Sequence, residues 1–146
     1  MGTRRIGPYF GDELAAAGLA GLPISWGEDG IVTGRELLMA PQQAALDAVI
    51  AAHDPQRPRL GDYRSAIQAH VDATARARDY DSGVSCASWV ASTNPAWAAE
   101  AQAFVAWRDS VWAHVFGELA KVETGQREQP TITALLEELP AMAWPA

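Results

Sequence analysis

Residues 94–122, NPAWAAEAQAFVAWRDSVWAHVFGELAKV, decide the fold, because they read as one uninterrupted helix around which the rest of the chain must pack. Asn94 offers a side-chain oxygen to the orphan N–H groups of the first turn, and Pro95 falls where a missing N–H costs nothing. Gly125 lies just past the last periodic residue, where a left-handed residue stops a helix. Wound at about 100° per residue, the stretch separates a bulky face (Trp97, Phe104, Val111, Trp112, Val115, Leu119, Val122) from a small one (Ala99, Ala103, Ala106, Ser110, Ala113, Gly117). The bulky face predicts a core. The small face has two readings: it admits a closely packed neighbour, or it is alanine serving as a helix former against water.

Outward toward the N-terminus, a helix over Gly61 to Arg78 carries Tyr63, Ala66, Ile67, His70, Thr74 and Ala77 on its inner arc, with Asp62 as its cap. A short helix across Val84 to Ala91 turns Cys86, Trp89 and Val90 inward. Asp54-Pro55-Gln56-Arg57-Pro58 breaks the chain before these elements. Upstream of the break, Gly11 to Ala20 reads as a short helix ended by Gly18, Gly21 and Pro23. Alternation around Asp29-Gly30 marks a β-hairpin over about 22–34, docked by Trp26, and Pro41 to His53 reads as a second helix. Outward toward the C-terminus, Pro130-Thr131 opens a last helix with Ile132, Leu135, Leu136 and Leu139 at helical spacing. The Pro140–Ala146 tail lays Met142 and Trp144 on the bundle, since leaving them in water forfeits burial. The expected class is therefore α+β, mainly α. A small helix–hairpin–helix module, residues 1–55 with its hairpin at about 22–34 and its helix at about 41–53, precedes a compact helical domain, residues 59–146, organised on the long helix.

Composition narrows the function. A chain of 146 residues that is 49% hydrophobic has enough apolar material for a core. A net charge of −7 disfavours nucleic acid and anionic lipid as partners, because both call for a cationic surface. One cysteine, Cys86, gives no disulfide framework and no zinc spacing. The start, MGTRRIGPYFGDEL, lacks the apolar run of a signal peptide, and no segment nears the roughly 18 apolar residues of a membrane span. The expectation is a protein made in the cytoplasm, without membrane insertion.

No spacing of His, Cys, Asp, Glu or Ser matches a catalytic, phosphate-binding or metal motif, so no catalytic residue, cofactor or metal is expected. The titratable residues read as structural. His70 is a packed core histidine, His53 caps the helix end before Asp54-Pro55, His114 pairs with Glu118 one turn on, and Cys86 acts as a small hydrophobe. Arg108 lies near the centre of the bulky arc, where a guanidinium needs partners. It is expected to act as a structural clamp on Asp79, Asp81 or the carbonyls of the 79–88 turn. Of the six tryptophans, Trp107 lies at the edge of the arc and is the candidate interface anchor, beside Ala99, Ala103, Ala106, Ser110 and Ala113 of the small face.

One ordered set of residues resembles a known family. Tyr80-Asp81-Ser82, Ser92-Thr93-Asn94-Pro95, Trp97-Ala98-Ala99-Glu100, Ala106 to Trp112, Pro130-Thr131, Glu138-Leu139-Pro140 and Trp144-Pro145 together resemble a helical C-terminal domain of bacteriophage tail-fibre and tail-associated proteins. Trp26 to Gly30 and Ala51 to Pro55 look like the small modules that precede that domain. The resemblance implies a tail component of the virion, with no catalytic residues to carry over. Its expected partner is a tail-fibre or baseplate protein, or a second copy of the chain. The alternatives are an assembly chaperone absent from the mature particle and, behind it, a small envelope-polysaccharide hydrolase. The hydrolase needs a carboxylate pair across a cleft, and the adjacent Glu137 and Glu138 point about 100° apart on a helix.

Overall fold

The computed structural model describes residues 4–146, which are mostly helical with one two-stranded antiparallel ribbon. The chain forms two compact units, Met1–Arg59 and Leu60–Ala146, each with its own buried cluster.

In the first unit, α1 (Phe10–Ala16) and α2 (Ala40–Ala52) enclose Phe10, Leu14, Leu19, Leu38 and Leu46. Helix α1 is shorter than the expected 11–20 because Gly18, at φ +77°, turns left-handed and closes it. The Leu19 N–H reaches the Leu14 carbonyl at 2.9 Å and the Gly18 N–H reaches Ala15 at 3.1 Å. That pairing satisfies the last carbonyls and sets Leu19 on Leu14, both buried. The ribbon pairs β1 (Ser25–Trp26) with β2 (Val32–Thr33) in the register Ser25↔Thr33 and Trp26↔Val32. Trp26 meets the Phe10 ring edge-on with centroids 5.4 Å apart. A turn of 3-10 helix, Arg35–Leu37, is tied to α2 by the two-pronged Arg35–Asp47 pair.

His53 departs from the expected helix cap. Its ring is buried, with Nε2 accepting the Gly7 N–H at 2.8 Å and Nδ1 lying 2.6 Å from Glu13 Oε2. With Nε2 accepting, Nδ1 is left to face Glu13, so the ring links the N-terminal segment at Gly7 to α1.

The second unit is built on α5 (Pro95–Glu123), 29 residues long. Asn94 Oδ1 accepts from the N–H groups of Ala96 and Trp97 at 3.0 and 3.4 Å. At the other end Gly125 (φ +74°) repeats the left-handed stop, with the Gln126 N–H on the Lys121 carbonyl at 2.8 Å. Helix α5 buries Ala101, Phe104, Trp107, Val111, Val115 and Leu119, a stripe with steps of three and four. Helix α3 (Leu60–Arg76) answers with Tyr63, Ile67, Val71 and Ala75; Ala77, assigned to the inner arc, is exposed. Between them lie α4 (Gly83–Ala87), a 3-10 turn (Ser88–Ala91) and α6 (Ile132–Glu137). Ser82 caps α4 by accepting the Ser85 N–H at 3.1 Å, and Thr131 caps α6 by accepting the Ala134 N–H at 3.1 Å. The tail packs on this core: Trp144 stacks on Phe104 (6.0 Å, 9°) and on Tyr80 (6.4 Å, 19°). Among the described residues no helix is long and apolar enough to cross a membrane.

Candidate binding site

Trp107 is not at a surface. It is 7% exposed, touches Phe104 and His70, and donates its indole N–H to the Pro140 carbonyl at 2.7 Å. The indole is held in place by the tail that covers it, which removes it as an interface anchor. Of the small residues assigned with it, Ala99, Ala106, Ser110 and Ala113 are exposed and Ala103 is half-buried. The Ser110 hydroxyl donates back to the Trp107 carbonyl at 2.6 Å. Arg108 is no clamp on the 79–88 turn either. Its guanidinium pairs with the adjacent Asp109 at 2.8 Å, and the longer side chain snorkels to the water at the edge of the arc.

The clamps are other arginines. Arg78 binds Glu100 through Nε and Nη2 at 2.9 and 2.6 Å, and the Tyr80 hydroxyl donates to the other oxygen of Glu100 at 2.8 Å. Arg78, then Tyr80, holds the Glu100 carboxyl below its ordinary range. Burial first, then Glu100, pushes Tyr80 up to about 12. Past the end of α5, Arg127 bridges Glu118 (2.6 Å) and Glu138. His114 lies 3.0 Å from Glu138, not on Glu118 as the sequence predicts, because Lys121 and Arg127 already occupy Glu118. Arg127, then His114, draws Glu138 down to about 2. Cys86 is fully buried, and desolvation, then Glu100, pushes its thiol up to about 11, which leaves it a packing group.

Of the exposed large apolar residues of this unit, Leu60 begins α3 and Phe116 stacks on Trp112, while Val84 on α4, Trp89 and Val90 on the 3-10 turn, and Trp97 in the first turn of α5 fall on the elements around the Trp89–Trp97 contact. Trp89 and Trp97 were assigned to buried positions, yet they are 40% and 50% exposed. Helix α5 outruns the core at its N-terminus. Trp97 there meets Trp89, edge to face at 5.3 Å and 81°, and neither indole is closed over by a further element.

Beside this pair opens a cleft of about 380 Å³ lined by Arg78, Asp79, Tyr80, Asp81, Ser85, Trp89, Trp97 and Glu100. Its floor is the C-terminal stop of α3. The Tyr80 N–H reaches the Ala75 carbonyl at 3.1 Å and the Asp79 N–H reaches Arg76 at 3.0 Å, the same left-handed closure seen after α1 and α5. Here the left-handed residue is Asp79, at φ +68°, the one non-glycine residue with positive φ among those described. The acidic turn and Trp97 could be found in the sequence, the first as Tyr80-Asp81-Ser82 and the second through the Asn94-Pro95 cap. Their meeting in one cleft could not. Among the described residues no group of three or more His, Cys, Asp or Glu side chains is arranged to hold a metal ion.

No protein-family model matches the chain, and no curated protein or solved structure is significantly similar to it.

Proposed function

We propose that this protein is a non-enzymatic component of a bacteriophage tail that docks on a tail-fibre or baseplate protein. One observation carries the docking part. Two large indoles, Trp89 and Trp97, are exposed against each other in one cleft of the helical unit with Asp79, Asp81 and Glu100, and Val84 and Val90 on the adjoining short helices are exposed as well. Tryptophan surrounded by polar groups is the composition of an interface hot spot, and desolvating two indoles gives a partner far more binding energy than the alanine stripe of α5 can. The tail setting rests on the ordered residues of the C-terminal domain that resemble phage tail proteins. The N-terminal module offers a second attachment point, with Ile31, Leu37 and Met39 of the hairpin region more than half exposed.

The test is co-expression with the fibre and baseplate proteins of the same phage, followed by size-exclusion chromatography with mass detection and by mass spectrometry of purified particles. The expected result is a stoichiometric complex with one of them and the chain retained in the particle. A complex in the expressing cell with no chain in the particle would make it an assembly chaperone. A monomer with every tail protein would overturn the reading.

A further inference from the structure

We propose that the cleft between the Asp79 turn and the Trp89–Trp97 corner receives an arginine side chain of the partner protein. This rests on the docking reading above and names the group that enters. The walls come first. Trp89 and Trp97 stand nearly perpendicular, 81° apart with centroids 5.3 Å apart, so a side chain entering the cleft meets an indole face and an indole edge. A guanidinium is planar and weakly hydrated, and it stacks on indole faces.

The charge comes second. The Arg78 guanidinium is already neutralised by Glu100 and lies over the Trp144 ring at 5.5 Å. The uncompensated charge of the cleft is that of Asp79 and Asp81, whose carboxylates make no hydrogen bond or ion pair with the described residues. A carboxylate beside an aromatic wall matches the forked donors of arginine, and an anionic ligand would be repelled. The cleft's size is third. At about 380 Å³ it sits at the small end of ligand pockets, with room for one long side chain. Lastly, Asp79 occupies a left-handed position where glycine is unstrained, so its carboxylate is kept at a cost to the turn.

The experiment is a titration of the full chain with N-acetyl-arginine amide, its neutral isostere N-acetyl-citrulline amide, and maltose, following the indole N–H signals by NMR. Arginine amide is expected to move the Trp89 and Trp97 signals, with citrulline amide and maltose leaving them in place. Asp79→Asn, which keeps a residue tolerant of the left-handed turn, and Trp97→Ala are each expected to weaken arginine binding about tenfold. Equal response to citrulline or maltose, or arginine binding indifferent to Asp79→Asn combined with Asp81→Asn, would overturn the proposal. A tail-protein complex undiminished by those two substitutions would also overturn it and leave docking intact. Arginine binding by a chain that forms no complex would instead remove the docking reading and keep the cation site.

Discussion

Asp79 holds a backbone conformation that an L-residue adopts at a cost of about 1 kcal/mol and glycine adopts freely. Asp79→Gly is therefore expected to stabilise the protein by about 1 kcal/mol in urea unfolding, while removing a carboxylate from the cleft. Trp107 behaves in the opposite sense. Trp107→Phe strands the Pro140 carbonyl without its indole donor and is expected to cost about 1–2 kcal/mol in the same measurement. Arg108→Ala is expected to change stability by no more than about 0.5 kcal/mol, because its partner is the exposed, adjacent Asp109. Single residues were the least legible part of the sequence. Trp97 and Trp107 lie about 80° apart around α5, and periodicity puts Trp97 on the bulky arc and Trp107 at its edge, the reverse of their burial. What separates them is which element ends opposite each: the tail closes over Trp107, whereas Trp97 faces only the exposed Trp89. Arg108 failed for a related reason. Its place on the arc was legible, but its guanidinium pairs with Asp109 beside it, and the arginine that reaches the turn is Arg76, which donates to the Asp81 carbonyl.

Elements were more legible, because caps and stops are local. The Asn94-Pro95 start and the Gly125 stop bracket α5 within a residue of where they were read. Asn94→Ala is expected to cost about 1 kcal/mol, since the Ala96 and Trp97 N–H groups lose their acceptor. Other helix ends are less legible: α3 ends at Arg76, two residues short of Arg78, with Asp79 as its left-handed stop, and α1 ends at Ala16, ahead of the expected Ala20. The junction of α5 with α6 also sets the acid response. Glu138 has a folded-state pKa of about 2, drawn below the ordinary glutamate value by Arg127 and then His114. A depressed carboxylate contributes stability that is fully present above its unfolded pKa of about 4.3 and disappears as pH falls through the folded value. Stability is therefore expected to fall between about pH 5 and pH 2, and an Arg127→Met variant is expected to lose less over that range than the parent. Urea midpoints measured from pH 7 to pH 2 on both proteins check the sign.

At the scale of the whole molecule, two separate cores define the two units, one around Phe10 and Leu46 and the other around Phe104 and Val111. Residues 60–146 expressed alone are expected to unfold in one cooperative transition with the near-ultraviolet signature of packed tryptophan, checked by circular dichroism during urea unfolding. The mainly helical class was legible because amphipathic periodicity and proline breaks act over short spans. The cleft was not, since it assembles the end of α3, the 3-10 turn and the first turn of α5, which only the fold brings together. Docking through that cleft is the central claim, and the affinity of the purified tail-fibre or baseplate partner for the parent chain and for a Trp89→Ala, Trp97→Ala variant tests it most directly. Loss of at least about a hundredfold in affinity, with the helical spectrum and urea midpoint retained, is the predicted result. Equal affinity of the two proteins would contradict it.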